Sequence, residues 1–578
     1  MLAAQVFRGA AAATLAVGLA LAGIGAPAAT AADPGPVELA IIVPIVVPAG
    51  STGLVTADQL AEYTSASGIL SRQLDSAIDR PVTLAIDPMI LASIRVLGSS
   101  APTSATAWLT RLQNASNESF LLSYADSDVT LGTQAGSPVV LQPENFDFAI
   151  DPANFGPAAT TPQAPSESPS PTPTPTSTEA PVPSLPTTAD LLSWNSDFPG
   201  MLWPRAGTVA DSDLAALTAS GVNSVILASS NVTREAGSGP PVTVGGLSAI
   251  ITDDTVSSRL SAVANTSTIE VLQSTLPGVE SAAVAAAQSQ NGPASVVASL
   301  DRSVPRPGTN VGSTIMLLQS SSTVTLVPLS AALDGRDSPE ATLTPGAQGE
   351  QRLSEAGRML LAEASDARFA TIVQDASTIT APRRLAMLGL LSVGWIGNEG
   401  TWTAAVQRHL DNSEQLRSSV EIVTTSPFTL LADNGALPIP VSNQLGQPVT
   451  VFLTVRPLTA KLAVSESRVE TMIEPNAQAR AQVPVQAITN GSVQVVMTLT
   501  SASGVSIGQP AITEINVQAG WETPIVLVIG AIVVLVFAGG IVRNIVRRRR
   551  PAAADALDTD ITDTDISNTD TPARDVDE

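Results

Sequence analysis

The side chains best placed for chemistry are aspartates. Asp87 follows the apolar stretch Val82–Ile86, and Asp126 and Asp128 follow Phe120–Tyr124, with Glu144 nearby. Both stretches read as buried strands, and the C-terminal ends of parallel strands form the functional mouth of a barrel. Two carboxylates held about 5 to 9.5 Å apart can serve as acid and base on a glycosidic bond. The same residues have plainer uses. Asp before Pro ends a strand or caps a turn, and Asp126-Ser127-Asp128 reads as a solvated loop. Catalysis, ligand binding and architecture are therefore three open readings of one pattern. Trp203, which ends the strand-like Met201–Trp203 before Pro204, suits either stacking on a sugar ring or plugging a barrel.

Other chemistries lack their residues. The chain has one histidine, His409, and no cysteine. A deacetylase-type metal held by two histidines and an aspartate is excluded, as are thiolate metal sites, disulfides and a thiol nucleophile. Ser–His catalysis would depend on His409, which lies in the polar stretch Arg408-His409-Leu410-Asp411 and reads as a surface residue. No phosphate-cradling glycine loop is present, and no cofactor is expected. Asn398-Glu399-Gly400-Thr401-Trp402 resembles a site but reads more simply as a loop with Thr401 capping a helix.

The elements that must position the aspartates alternate between strand and helix. Val37–Val47 is an apolar run suited to a strand buried on both faces. Thr56 caps a helical pattern carrying Leu60, Leu70 and Leu74, broken at Gly68. Later strands are expected at Ser224–Leu227 and Thr323–Val327. Helices are expected from Asp253 or Asp254, over Ala282–Gln290, and at 351–364, 383–392 and 402–418. This is an α/β fold, barrel-like or an open parallel sheet with helices, over residues 37–420. A Pro/Ser/Thr-rich stretch, 160–187, cannot form a ladder or a helix and reads as a disordered insert. Residues 421–519 change to alternating patterns such as Val449, Val451, Leu453 and Val455, expected to form an all-β, immunoglobulin-like sandwich.

The termini bound location. Ile525–Val542 is an uncharged apolar run of 18 residues, about 27 Å as a helix and enough to span a bilayer. Arg543, Arg547, Arg548, Arg549 and Arg550 follow and should remain cytoplasmic. Residues 1–32 read as a signal peptide with Ala29-Thr30-Ala31 as its cleavage site. The expectation is a single-pass type I membrane protein with an extracellular N-terminal portion. The net charge is −24, and no basic face exists for nucleic acid outside the juxtamembrane cluster. The last segment, 551–578, reads as an acidic disordered tail whose threonines suit phosphorylation.

The segments Gly68-Ile69-Leu70, Val82–Pro88, Leu202-Trp203-Pro204, Val225-Ile226-Leu227 and Leu437–Asn443 resemble those of an uncharacterised actinobacterial cell-envelope family. That resemblance implies a link to cell-wall (peptidoglycan) assembly, because genes of the family often lie beside that of the lipid II flippase. The α/β part is distantly similar to polysaccharide-deacetylase and glycosidase barrels. The resulting expectation is a non-catalytic binding or scaffold protein whose partners are the membrane and a wall polymer or wall-biosynthesis protein such as a lipid II flippase. The alternative is a carboxylate-dependent glycosidase acting on wall polysaccharide.

Overall fold

The computed structural model describes residues 36–156, 185–291, 294–303, 309–344, 346, 348–423, 427–518 and 522–549. The expected signal peptide, the acidic tail, Arg550 and all but the last three residues of the Pro/Ser/Thr-rich insert lie outside them. The chain divides into two compact units, the first essentially ending at Ser419 and the second beginning at Val420.

In the first unit, parallel strands run in two sheets. One holds β1 (Val37–Ile45), β2 (Thr83–Ile86) and β3 (Ser119–Leu121). The other holds β4 (Met201–Leu202), β5 (Ser224–Ala228) and β6 (Leu247–Thr252). β7 (Ser295–Ser299) and β8 (Val324–Val327) pair with β1 in the first sheet. A backbone bond from Asp253 N–H to Val297 O, 2.8 Å, links the end of β6 to β7.

The period-2 rule of strands explains the packing. Ala40, Ile42, Ala85, Phe120, Met201, Ile226, Ile250 and Val297 meet in one core, with a contribution from each of β1 to β7. Their neighbours along the chain turn the other way. Leu39, Ile41, Leu84, Ile86, Val296 and Ala298 belong to the core beneath the helices of the first sheet. Val225, Leu227, Ala249 and Ile251 form a separate cluster in the second sheet. Two half-barrel sheets thus share an interior and are buried on both faces, which is why their strands read as unbroken apolar runs.

Several expected details hold. Thr56 and Gln59 form a reciprocal cap on the helix Ala57–Tyr63. Gly68 separates it from Ile69–Ala77, and a Cβ there would stand 2.2 Å from Tyr63 O. Asp253 rather than Asp254 caps the helix that follows β6. Two expectations need correction, and one strand is additional. Helix Ile269–Gln288 runs as one piece through Ala282, and its Pro277 lies inside it. Strand β7 had no counterpart among the expected elements. Helix Glu399–Ser418 has Asn398 at its N-cap position, so Thr401 lies within it and does not cap it.

The second unit contains a four-stranded and a five-stranded sheet. Val449, Val451, Leu453 and Val455 are buried, as are Val493, Val495 and Met497, so the alternation correctly marks one apolar face per strand. Beyond it, the helix Glu522–Arg548 carries a 24-residue membrane-span-type segment, Ile525–Arg548, in which an 18-residue stretch has mean hydropathy 3.1 and no buried residue. It includes Arg543, Arg547 and Arg548.

Candidate functional site

All three predicted aspartates lie at C-terminal strand ends, and all three are buried: Asp87 at 2%, Asp126 at 3% and Asp128 at 1% exposure. The solvated-loop reading of Asp126-Ser127-Asp128 is therefore corrected. These side chains are held inside by bonds that a sequence does not display.

Asp87 ends β2 and caps helix α1 (Pro88–Val96), where Pro at the first position costs no backbone bond. Its Oδ1 accepts from Met89 N–H and from Ala125 N–H, each at 2.9 Å. Burial pushes its carboxyl up to about 8, with a further push from Asp126, against the pull of the backbone donors. The bond to Ala125 holds unusual backbone, since Ala125 (φ 58°) and Asp126 (φ 47°) are both left-handed. A non-glycine residue there costs on the order of 1–3 kcal/mol and persists only where its surroundings hold it. Tyr124 assists, donating its hydroxyl to Gly53 O at 2.6 Å and packing 5.8 Å from the Phe146 ring.

That left-handed turn delivers Asp126 to Arg302. The two form a buried ion pair at 2.6 Å, with side chains 4% and 5% exposed. Burial lifts the Asp126 carboxyl to about 7 although Arg302 pulls it down. Arg302 also donates to Trp203 O at 2.6 Å and lies 4.5 Å from the Trp203 ring centroid. Trp203, in turn, sits 6.5 Å from Phe120 within the barrel interior, the position of an aromatic plug.

Asp128 caps helix α2 (Val129–Gln134) through Leu131 N–H and accepts from Thr130 Oγ1 at 2.9 Å. Its Oδ2 accepts from Gln348 Nε2 at 2.7 Å, while Gln348 Oε1 accepts from Arg205 at 3.1 Å. Glu144 is exposed. Each of the three buried acids thus has architectural partners.

The accessible chemistry lies on the other side of the mouth. A cleft of about 410 Å³ opens beyond β4 to β7, lined by Trp203, Arg205, Asp254, Asp301 and Arg302 together with serines including Ser257. Asp301 is exposed and Asp254 half-buried. None of Asp87, Asp126 and Asp128 lines it. Asp301 and Arg302 follow the apolar run Ser295–Ser299 as Asp87 follows β2, so the signal was present once that run is taken as a strand.

Arg352, on helix α3 (Glu350–Phe369), had no sequence signal at all. It is 8% exposed, and none of its three side-chain nitrogens has a hydrogen-bond partner among the described residues. Its guanidinium lies 4.6 Å from the Trp402 ring centroid. Burial pushes its pKa down; Asp128 and Glu399 oppose that shift, and the positive Arg205 adds to it. Among the described residues Arg352 thus makes no hydrogen bond or ion pair, although Asp128, Glu399 and the cleft-lining Arg205 are near enough to act on its charge.

His409 is also corrected. It is 7% exposed, with burial and Arg383 driving its pKa down to about 4. The polar stretch around it faces solvent on one side only, and His409 occupies the inward side of the helix. Among the described residues no group of three metal-ligating side chains occurs.

Comparison with known proteins gives little on function. No curated protein matches the chain. Among solved structures it is similar to a novel alpha-amylase from Thermotoga maritima, at 11% identity, TM-score 0.41, covering 66% of this chain and 93% of that one. It is also similar to Escherichia coli alpha-2-macroglobulin, at 16% identity, TM-score 0.15, covering 18% of this chain and only 7% of that one. A Caenorhabditis elegans MSP family member, WR4, gives 7% identity, TM-score 0.14, and coverage of 18% and 99%. Likenesses this distant carry no argument about chemistry. Over residues 22–553 the chain matches the family described as "Family of unknown function (DUF6049)", and it belongs to that family.

Proposed function

We propose that this protein is a single-pass envelope protein that binds an anionic wall polymer, or a wall-assembly partner, at the barrel mouth without cleaving it. The observation that carries the reading is Arg352, a buried guanidinium with no hydrogen-bond partner among the described residues, beside the cleft-lining Arg205. Removing a charge from water costs several kcal/mol unless a counter-charge compensates. A carboxylate or phosphate on the ligand would supply that counter-charge, and a guanidinium fork matches either oxyanion. The serines and acids around the cleft suit the hydroxyls of a glycan.

The membrane-span-type helix, the arginines after it and the signal-like N-terminus support a type I arrangement, with the two units outside the cell and the tail in the cytoplasm. The β unit, an immunoglobulin-like sandwich in this reading, would act as a stalk. The resemblance to the envelope family supports peptidoglycan assembly as the setting and the lipid II flippase as a candidate partner.

The test uses full-length protein in detergent, titrated calorimetrically with a carboxylate-bearing wall glycan and with neutral dextran. The charged glycan should bind, and Arg352→Met should weaken it by about tenfold or more. Undiminished binding by that variant would refute the reading.

One observation favours a second reading, glycoside hydrolysis. Asp87 and Asp126 are neighbouring acids with raised pKa values, a common property of catalytic sites. Release of reducing sugar from wall glycan, abolished by Asp87→Asn, would establish it.

A further inference from the structure

The β unit has two ends, and one of them is apolar where loops are normally polar. At this end strand Phe428–Leu430 finishes, alongside Val517, its parallel partner. Gln518 N–H donates to Leu430 O, so the chain leaves the unit here on its way to the apolar helix. Three loops meet at the same place. Ala487 N–H donates to Asp433 O, Ile488 N–H to Lys461 O, and Leu458 N–H to Gln494 O. Each loop presents one large apolar side chain to the outside: Leu431 at 72%, Leu458 at 54% and Ile488 at 49% exposure. The only lysine of the chain, Lys461, lies on the middle loop, with Asp433 as the acid on its neighbour.

Single exposed leucines are ordinary, but three on separate loops at one end are not explained by the fold. The chain itself indicates what covers them. Only three residues, Ala519, Gly520 and Trp521, separate Gln518 from Glu522, the start of the helix, so the four steps between them reach about 14 Å when fully extended. A bilayer entered at Ile525 must therefore lie close to this end. Trp521, in that short connection, is a residue type enriched at membrane–water interfaces.

We propose that the Leu431, Leu458 and Ile488 loops dip into the lipid interface, with Lys461 at the headgroup level, so that the β unit sits on the membrane surface instead of swinging above it. This rests on the reading of Ile525–Arg548 as a membrane span. Leucine and isoleucine gain from immersion at the headgroup–acyl boundary, and a lysine there meets anionic headgroups.

The absence of native cysteine allows single labels. Full-length Leu458→Cys, Ile488→Cys, Met472→Cys and Val534→Cys variants would carry an environment-sensitive fluorophore in vesicles containing one-third anionic lipid. Met472 is the control: it is 66% exposed, and the adjoining Ile473 O accepts from Asn443 at the opposite end of the unit. Shallow spin-labelled lipid should quench positions 458 and 488 about twofold or more over position 472, with a blue shift. Deep spin-labelled lipid should quench position 534. Quenching at 534 with 458 and 488 equal to 472 would overturn the proposal alone. No quenching at 534 would overturn the span reading and the proposal with it.

Discussion

The two sides of the barrel mouth use the same residue type at the same kind of position for opposite ends. After β2 and β3, three aspartates turn inward and become caps and ion-pair partners. After β6 and β7, Asp254 and Asp301 stay at the cleft, half-buried and exposed respectively. The difference follows from what each side chain meets. Asp126 reaches Arg302 because two consecutive left-handed residues redirect the chain. Asp301 instead folds back on its own loop, accepting from Ser303 N–H and Ser303 Oγ at 2.9 Å, which leaves it at the surface. A strand-end carboxylate is therefore a place, and its partners decide its role.

Substitutions of the inward-turned acids, or of the Arg302 that pairs with one of them, should break the fold, and those of the outward-facing cleft acids should spare it. The largest effect is expected for Arg302→Met, which strands Asp126 in the interior and removes the stack on Trp203. A loss of about 3–5 kcal/mol in denaturant unfolding is expected. The loss should be smaller below about pH 7, where the Asp126 carboxyl is held neutral, than at alkaline pH, where it must ionise.

Asp87→Ala comes next, at about 2 kcal/mol, from a lost helix cap and a released Ala125 N–H. Asp87→Asn retains an acceptor oxygen and should cost less, but it should change the pH profile. In the folded protein Asp87 binds its proton up to about pH 8, whereas unfolded it releases it near the ordinary value of 3.8. Between those values the folded state holds more protons, so stability falls as pH rises. Thermal unfolding between pH 5 and 8 should show that decline in the wild type and a flatter profile in Asp87→Asn. An unchanged slope would mean the acid is not held neutral.

Asp301→Asn is the smallest perturbation. Its stability should stay within about 0.5 kcal/mol of wild type, because the site is exposed. Its glycan binding should nevertheless weaken. A large stability loss here would erase the contrast between the two sides.

Much of this architecture was legible. Apolar runs bounded by Asp-Pro, by Asp-Ser-Asp and by Trp-Pro located β2, β3 and β4, and alternation marked the all-β region. Short strands fade where the run holds small residues: Ser295-Val296-Val297-Ala298-Ser299 is framed by serines and carries little strand signal, which leaves Asp301 and Arg302 unmarked as well. Burial of Asp126, Asp128 and His409 could not be read, because it depends on Arg302, Gln348 and Arg383, which lie far away in sequence. Arg352 is the extreme case, conspicuous only because nothing described pairs with it.

Co-sedimentation of the full-length protein with purified wall sacculi tests the division of labour most directly. The account predicts that Asp87→Asn sediments like wild type and leaves the wall intact, while Arg352→Met stays in the supernatant. Retained binding by Arg352→Met together with wall hydrolysis that Asp87→Asn abolishes would contradict it.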